Sequence, residues 1–154
     1  MATTEVTTQH LAEPDREQPQ TLNAQQITKI VDADDLLFTQ ASCSSMFSCE
    51  RSLEDLILAL DNWNLDTLEA NFLMLDAVEY HRNGRLYIHS LDNRRLYCLK
   101  QHQQHKRSAG WTVNVKVVCS PIPFKAVGRM ELLGGGREIR IRPGRRSRST
   151  GRAR

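Results

Sequence analysis

The stretch GRLYIHSLDNRRLYCLK, Gly84 to Lys100, joins two kinds of structure. Leu86 to Ser90 alternates in the manner of a strand. Asp92 and Asn93 follow, then the adjacent Arg94 and Arg95, then an apolar helical pattern through Leu96, Cys98 and Leu99. Asp92 reads as the N-cap of that helix. Two cations thus fall in the first turn, where the backbone dipole is already positive. An anion would relieve that conflict: the free amides of a helix start favour one, and an Arg fork grips two phosphate oxygens at once. Pairing of Arg94 or Arg95 with Asp92, Glu50, Asp76 or Glu79 is the competing explanation.

Working outward, Leu73–His81 and Arg85–Ser90 flank Asn83-Gly84, the strongest short hairpin signal. Asp35 to Gln40 reads as a first strand, followed by the Ser/Cys-rich loop ASCSSMFSCERS. Ser52 looks like an N-cap, with Asp55 three residues on, close to a capping box. Leu53, Leu56, Ile57 and Leu60 give one face of a first helix ending near Asn62. The second helix loses its pattern at Gln101–His105. Trp111–Val118 then alternates, with Val113, Val115 and Val117 on one face, until Pro121 and Pro123. The order strand, helix, hairpin, helix, strand predicts an α+β class: a small mixed sheet with two main helices.

At 154 residues the chain holds one domain. Residues 1–29 are polar and aperiodic, which predicts a disordered N-terminal segment. Residues 30–127 form the expected domain, and 128–154 a flexible Arg-rich tail. Gly134 to Arg154 holds eight Arg and one Glu, a charge of +7, leaving −4 on the rest of a chain whose net charge is +3. A basic tail on an acidic body points to an acidic partner. Arg137, Arg140, Arg142, Arg145, Arg146 and Arg148 are the candidate nucleic-acid contacts, of a salt-sensitive and sequence-blind kind. The same run would serve equally as a localisation signal, and phosphorylation of the serines in RSRST would lower its charge. The N-terminus lacks a secretory leader, no run is apolar enough to span a membrane, and the four cysteines form no CxxC pair. Reduced thiols in a cytoplasmic or nuclear protein are expected.

The block VEYHRNGRLYIHSLDNRRLYCLK, followed by VNVKVV, resembles the ParB/sulfiredoxin-like superfamily. Members carry a hairpin, a turn of the type D-G-x-x-R, a helix and a strand. Arg95 falls on the family's Arg, and Leu96 and Cys98 on its apolar and small helix positions. FTQASCSSMFSCERSLEDLILALDNW looks like its opening strand, loop and first helix, so the resemblance covers about Leu36 to Val118. It implies a phosphate-binding corner at Asp92, Asn93, Arg94 and Arg95. Relatives use that corner to bind a nucleotide while holding DNA, to activate the phosphate of ATP, or to cut nucleic acid. The cofactor stays open at this point; a nucleoside triphosphate with Mg is one that the resemblance would allow, with Asp92 as possible metal ligand. Three departures matter. Asp92 stands where the family has Gly, and Asn93 where sulfiredoxins need Cys. The partitioning proteins' GERR-type signature is only half present, as DNRR, without their downstream helix-turn-helix. The sulfiredoxin reaction and sequence-specific partitioning are therefore not expected.

His89 and Glu50 are the candidate proton-transfer residues near the corner. Against this stand a half-exposed strand position for His89 and a solvated loop for Glu50. His81 and His89 are expected near each other across the hairpin. His102 and His105 are expected to face solvent, though their spacing also suits a metal pair. Trp63 and Trp111 read as core anchors, and Cys43 and Cys49 lie in a loop able to approach the corner. The leading expectation is a phosphate/nucleotide- or nucleic-acid-binding domain with a nucleic-acid-contacting tail. The alternatives are a phosphoryl-transfer enzyme or nuclease of the same superfamily, and a protein-interaction module that has lost its ligand.

Overall fold

A computed structural model describes residues 26–63 and 65–144. Its core is a five-stranded mixed sheet with the order β1-β6-β4-β5-β2. The strands are β1 (Ile27–Asp32), β2 (Leu36–Phe38), β4 (Leu75–Arg82), β5 (Arg85–Ser90) and β6 (Asn114–Pro121). Two main helices, α1 (Leu53–Trp63) and α2 (Asn93–Arg107), pack on each other. A second, two-stranded sheet joins β3 (Ser42–Ser44) to β7 (Arg140–Arg142), and α3 (Phe124–Val127) is a single turn. The chain is an α+β fold of the expected kind.

The capping box at α1 forms with Asp in place of Glu. Ser52 N donates to Asp55 Oδ2 at 3.0 Å, and Asp55 N donates to Ser52 Oγ at 3.1 Å. Two orphan amides are satisfied reciprocally, and the apolar stripe that follows buries Leu53 and Leu60. The hairpin turns on Asn83 (φ 51°) and Gly84 (φ 74°), the two left-handed residues a two-residue turn requires. Leu96 and Leu99 of α2 meet Leu36, Leu75, Val115 and Val117 in one continuous core.

Strand alternation sends β4 and β5 side chains to both faces. Leu75 and Ala77 point to the core under the helices. Tyr80 and Arg82 point to the opposite face, as do their register partners Tyr87 and Arg85. The chain after β6 crosses that second face.

Four expectations change. The domain does not stop at 127: β7 pairs in parallel with β3, with Arg140 N donating to Ala41 O and Ser45 N to Arg142 O, each at 2.8 Å. The cause is the alternation Ile139-Arg140-Ile141-Arg142, whose isoleucines pack against the core while the arginines stay exposed. At the other end β1 begins at Ile27, inside the segment expected to be disordered, and pairs antiparallel with β6 over six residues. Trp111 is no core anchor, being 67% exposed. The register sets His89 opposite Val78 and His81 opposite Leu86, so the two histidines lie on opposite faces and do not meet. The rest of the expected N-terminal segment, the Trp63 side chain, and Arg145, Arg146, Arg148 and the RSRST serines lie outside the described residues.

Candidate functional site

The strand β5 delivers Ser90 to the start of α2, as the sequence suggested. The N-cap, however, is not made. Asp92 occupies the position with φ −96° and ψ 68°, and its side chain bonds no α2 amide. Its carboxylate turns outward: Oδ2 accepts from Asp76 N at 3.0 Å and Oδ1 from Arg95 Nη2 at 2.8 Å. Asn93 is buried, held by Thr39. Its Oδ1 accepts from Thr39 N and its Nδ2 donates to Thr39 Oγ1, both at 2.9 Å. Asn93 therefore ties α2 to the end of β2 and is a positioning residue.

The two arginines find acceptors within the protein. Arg94 Nη1 donates to Met46 O at 2.7 Å, and its guanidinium lies 5.7 Å over the Phe47 ring. Arg95 Nη1 donates to Phe72 O at 2.6 Å while Nη2 holds Asp92. A cation near a helix N-terminus costs about 0.3–1 kcal/mol. A hydrogen bond from a charged group contributes about 1.5–3 kcal/mol. The second effect wins, so no outside anion is needed to explain the arginine pair. Arg95→Ala should accordingly destabilise the fold by roughly 1–3 kcal/mol, through the lost Phe72 and Asp92 bonds. Urea unfolding checks this, and a change under about 0.5 kcal/mol would contradict it.

The mouth of α2 still opens on a recess of about 320 Å³, lined by Gln40, Cys43, Phe47, Ser48, Asn93 and Arg94 among others. Cys43 on its wall is the register partner of Ile141, so β7 runs alongside the strand that carries it. Burial pushes the Cys43 thiol up, while the guanidiniums of Arg94 and Arg142 both pull it down. The alternation in Ile139–Arg142 was the available signal for this arrangement.

Neither candidate for proton transfer is suited to it. Glu50 sits on an exposed turn with φ 64°, its amide bonded to Phe47 O, and does not line the recess. His89 is fully buried. Its Nδ1 lies 2.8 Å from Phe38 O, a carbonyl that can only accept, so Nδ1 carries the proton. Nε2 then accepts from the Tyr80 hydroxyl at 3.1 Å. Burial lowers the His89 pKa, and the Phe38 bond pulls the other way without prevailing. The unfolded chain therefore takes up a proton first. Stability is full above the ordinary value of 6.5 and falls as acid brings the pH toward the lower folded value. Wild type should lose stability from pH 7.5 to 5 at up to about 1.4 kcal/mol per pH unit. His89→Gln should flatten that slope, read as urea midpoints at both pH values. Equal slopes would contradict it.

Each Asp92 oxygen accepts one hydrogen bond from the chain, Oδ2 from Asp76 N and Oδ1 from Arg95 Nη2. Among the described residues no group of three or more His, Cys, Asp or Glu is arranged to hold a metal ion. His102 and His105 do not simply face solvent. Both direct Nδ1 at Asp61 of α1, at 2.6 and 2.7 Å, and His102 is buried. Burial raises the Asp61 pKa, but the two histidine bonds outweigh it and hold the carboxyl below its ordinary range. Their i, i+3 spacing serves helix–helix locking. Cys98 is buried, donates to Leu53 O, and is pushed up to about 12; Cys49 is exposed.

No family model matches the chain, and no match appears among the curated proteins or the solved structures.

Proposed function

We propose that the domain binds nucleic acid through its phosphates, along a track that starts at the α2 mouth and continues down β7. The observation that carries this reading is the docking of the Arg-rich segment beside the recess. Arg140 and Arg142 are exposed on a built strand whose Ile141 is the register partner of Cys43, a residue of the recess wall. The uncapped amides of α2 offer a phosphate its first hydrogen bonds. Arg94 spends one N–H on Met46 O and keeps donors for a ligand. Arg140 and Arg142 extend the contact to neighbouring phosphates without reading sequence. ParB/sulfiredoxin-like kinship and a cytoplasmic or nuclear setting belong to the same reading. A nucleoside triphosphate would enter as a competitor for the recess, not as a metal-bound cofactor.

The test is fluorescence anisotropy with labelled oligonucleotides. Wild type should bind at low salt, and Arg140→Ala/Arg142→Ala should weaken binding by about tenfold, as loss of two phosphate contacts implies. Equal affinities would overturn the track. The protein-interaction reading has one observation in its favour: an apolar cleft of about 550 Å³ between α1 and the loop before it, lined by Phe47, Leu56, Leu65 and Phe72. That reading predicts no oligonucleotide binding at any salt.

A further inference from the structure

The second face of the sheet carries an aromatic cluster that the phosphate track does not use. Tyr80 and Tyr87 are cross-strand partners whose rings stack at 5.3 Å and 12°. Phe124 of α3 tilts onto Tyr80 at 5.7 Å and 44°, and is itself 47% exposed. Guanidiniums cover the outer rings: Arg82 lies 4.9 Å over Phe124, and Arg85 lies 5.5 Å over Tyr87. These two arginines are also register partners, directly opposite at the end of the hairpin. Like charges in that relation destabilise a ladder. Among the described residues neither forms an ion pair; those that form use Lys29, Arg95, Arg107, His102 and His105.

A cavity of about 320 Å³ opens between the aromatic rings and the C-terminal segment, with Arg82 and Arg137 on its wall. That volume lies within the range of small-ligand clefts. We propose that it is a base-stacking site for single-stranded nucleic acid. A base lies against Phe124 beside Tyr87, and its phosphates lie among Arg82, Arg85 and Arg137. A simple anion or an acidic peptide would engage the arginines but leave the ring faces without a partner. A nucleotide engages both, since every base presents a π-face and every linkage a phosphate. Single strands are required because the bases of a duplex already stack on one another. The guanidiniums now resting on the rings mark where the base sits; on binding they move onto the phosphate. The site also joins the proposed track: residues 134–142 run from this cavity at Arg137 to β7 at Arg140 and Arg142.

This inference rests on the nucleic-acid reading, and one experiment separates the two. The full chain is titrated at low salt with labelled oligothymidine and oligouridine of about 12 nucleotides, within the span of one binding fold, and with a duplex of the same length. Both single strands should bind more tightly than the duplex. Phe124→Ala should weaken single-strand binding about tenfold and leave duplex binding unchanged. Phe124 is half exposed, so the variant should fold, as circular dichroism would verify. Phe124→Trp should keep the affinity, and its added fluorescence should be quenched by oligothymidine beyond any quenching in wild type. Equal binding of single and double strands, with Phe124→Ala silent and the added tryptophan unquenched, overturns the stacking site but leaves the phosphate track. Failure of every oligonucleotide to bind overturns both.

Discussion

Gly136→Ala should detach the C-terminal segment from the sheet while leaving the helices and β4–β5 folded. Gly136 has φ +90°, a left-handed conformation that an L side chain adopts only under strain. A Cβ there would lie 2.8 Å from Phe38 O and 3.1 Å from His89 Cε1. Neither neighbour gives way easily. Phe38 O is β2 backbone and already accepts the His89 proton, and His89 is held at its other nitrogen by Tyr80. Strained backbone costs about 1–3 kcal/mol and overpacking a similar amount, roughly 2–5 kcal/mol together. The weakest structure that relieves it is the three-residue β3–β7 ladder. Trypsin should therefore cut after Arg137 or Arg140 in the variant much faster than in wild type. Oligonucleotide affinity should fall with the lost strand. Identical cleavage of the two proteins would contradict this.

Gln103→Leu should destabilise the whole domain by roughly 2–5 kcal/mol, measured by urea unfolding. Gln103 is only 3% exposed and serves as a backbone partner for the chain entering β6. Its Nε2 donates to Trp111 O at 2.9 Å, and its Oε1 accepts from Val113 N. Leucine fills similar space but leaves a buried donor and a carbonyl without partners, each costing about 1–3 kcal/mol. Because Val113 also packs in the core and its carbonyl accepts from Ala33 N, the damage reaches the neighbouring strands. A loss below about 1 kcal/mol would show that water replaces the side chain at both groups.

Gln103 lies in a stretch whose local pattern does not encode its partners. The stretch Gln101–His105 is polar and breaks the apolar pattern, so it reads as a solvated helix end. Three of its members are instead committed: Gln103 to the chain entering β6, and His102 and His105 to Asp61 of α1. Nothing local encodes those partners, which are 8 and more residues away in the chain. The central elements were legible because each carries a local periodicity or a turn that only certain residues make. Asn83-Gly84, Ser52 with Asp55, and the valines of β6 are of that kind. β1 was missed because it is an edge strand with Ile27 and Ile30 exposed, so its apolar positions follow no clean alternation. β7 was missed because charge hid a period of two.

The candidate corner shows the same division. The strand-to-helix junction and the position of Arg94 and Arg95 in the first turn follow from the chain itself. What those arginines touch does not, because Met46 and Phe72 come from loops whose approach is set by tertiary packing. Asp92 had the residue type of an N-cap, yet the Asp76 amide and Arg95 competed for its carboxylate and won. The exposed arginines of β7, Arg140 and Arg142, come from the segment whose composition read as a free tail.

Docking of that segment on the domain underlies both the phosphate track and the stacking site. Hydrogen exchange at the Ser45 and Arg140 amides tests it most directly, since these donate to Arg142 O and Ala41 O across the β3–β7 ladder. Both amides should be protected in wild type and exchange freely in Gly136→Ala. Coil-like exchange at both positions in wild type, with the β4–β5 amides still protected, would contradict the docked strand and the nucleic-acid surface built on it.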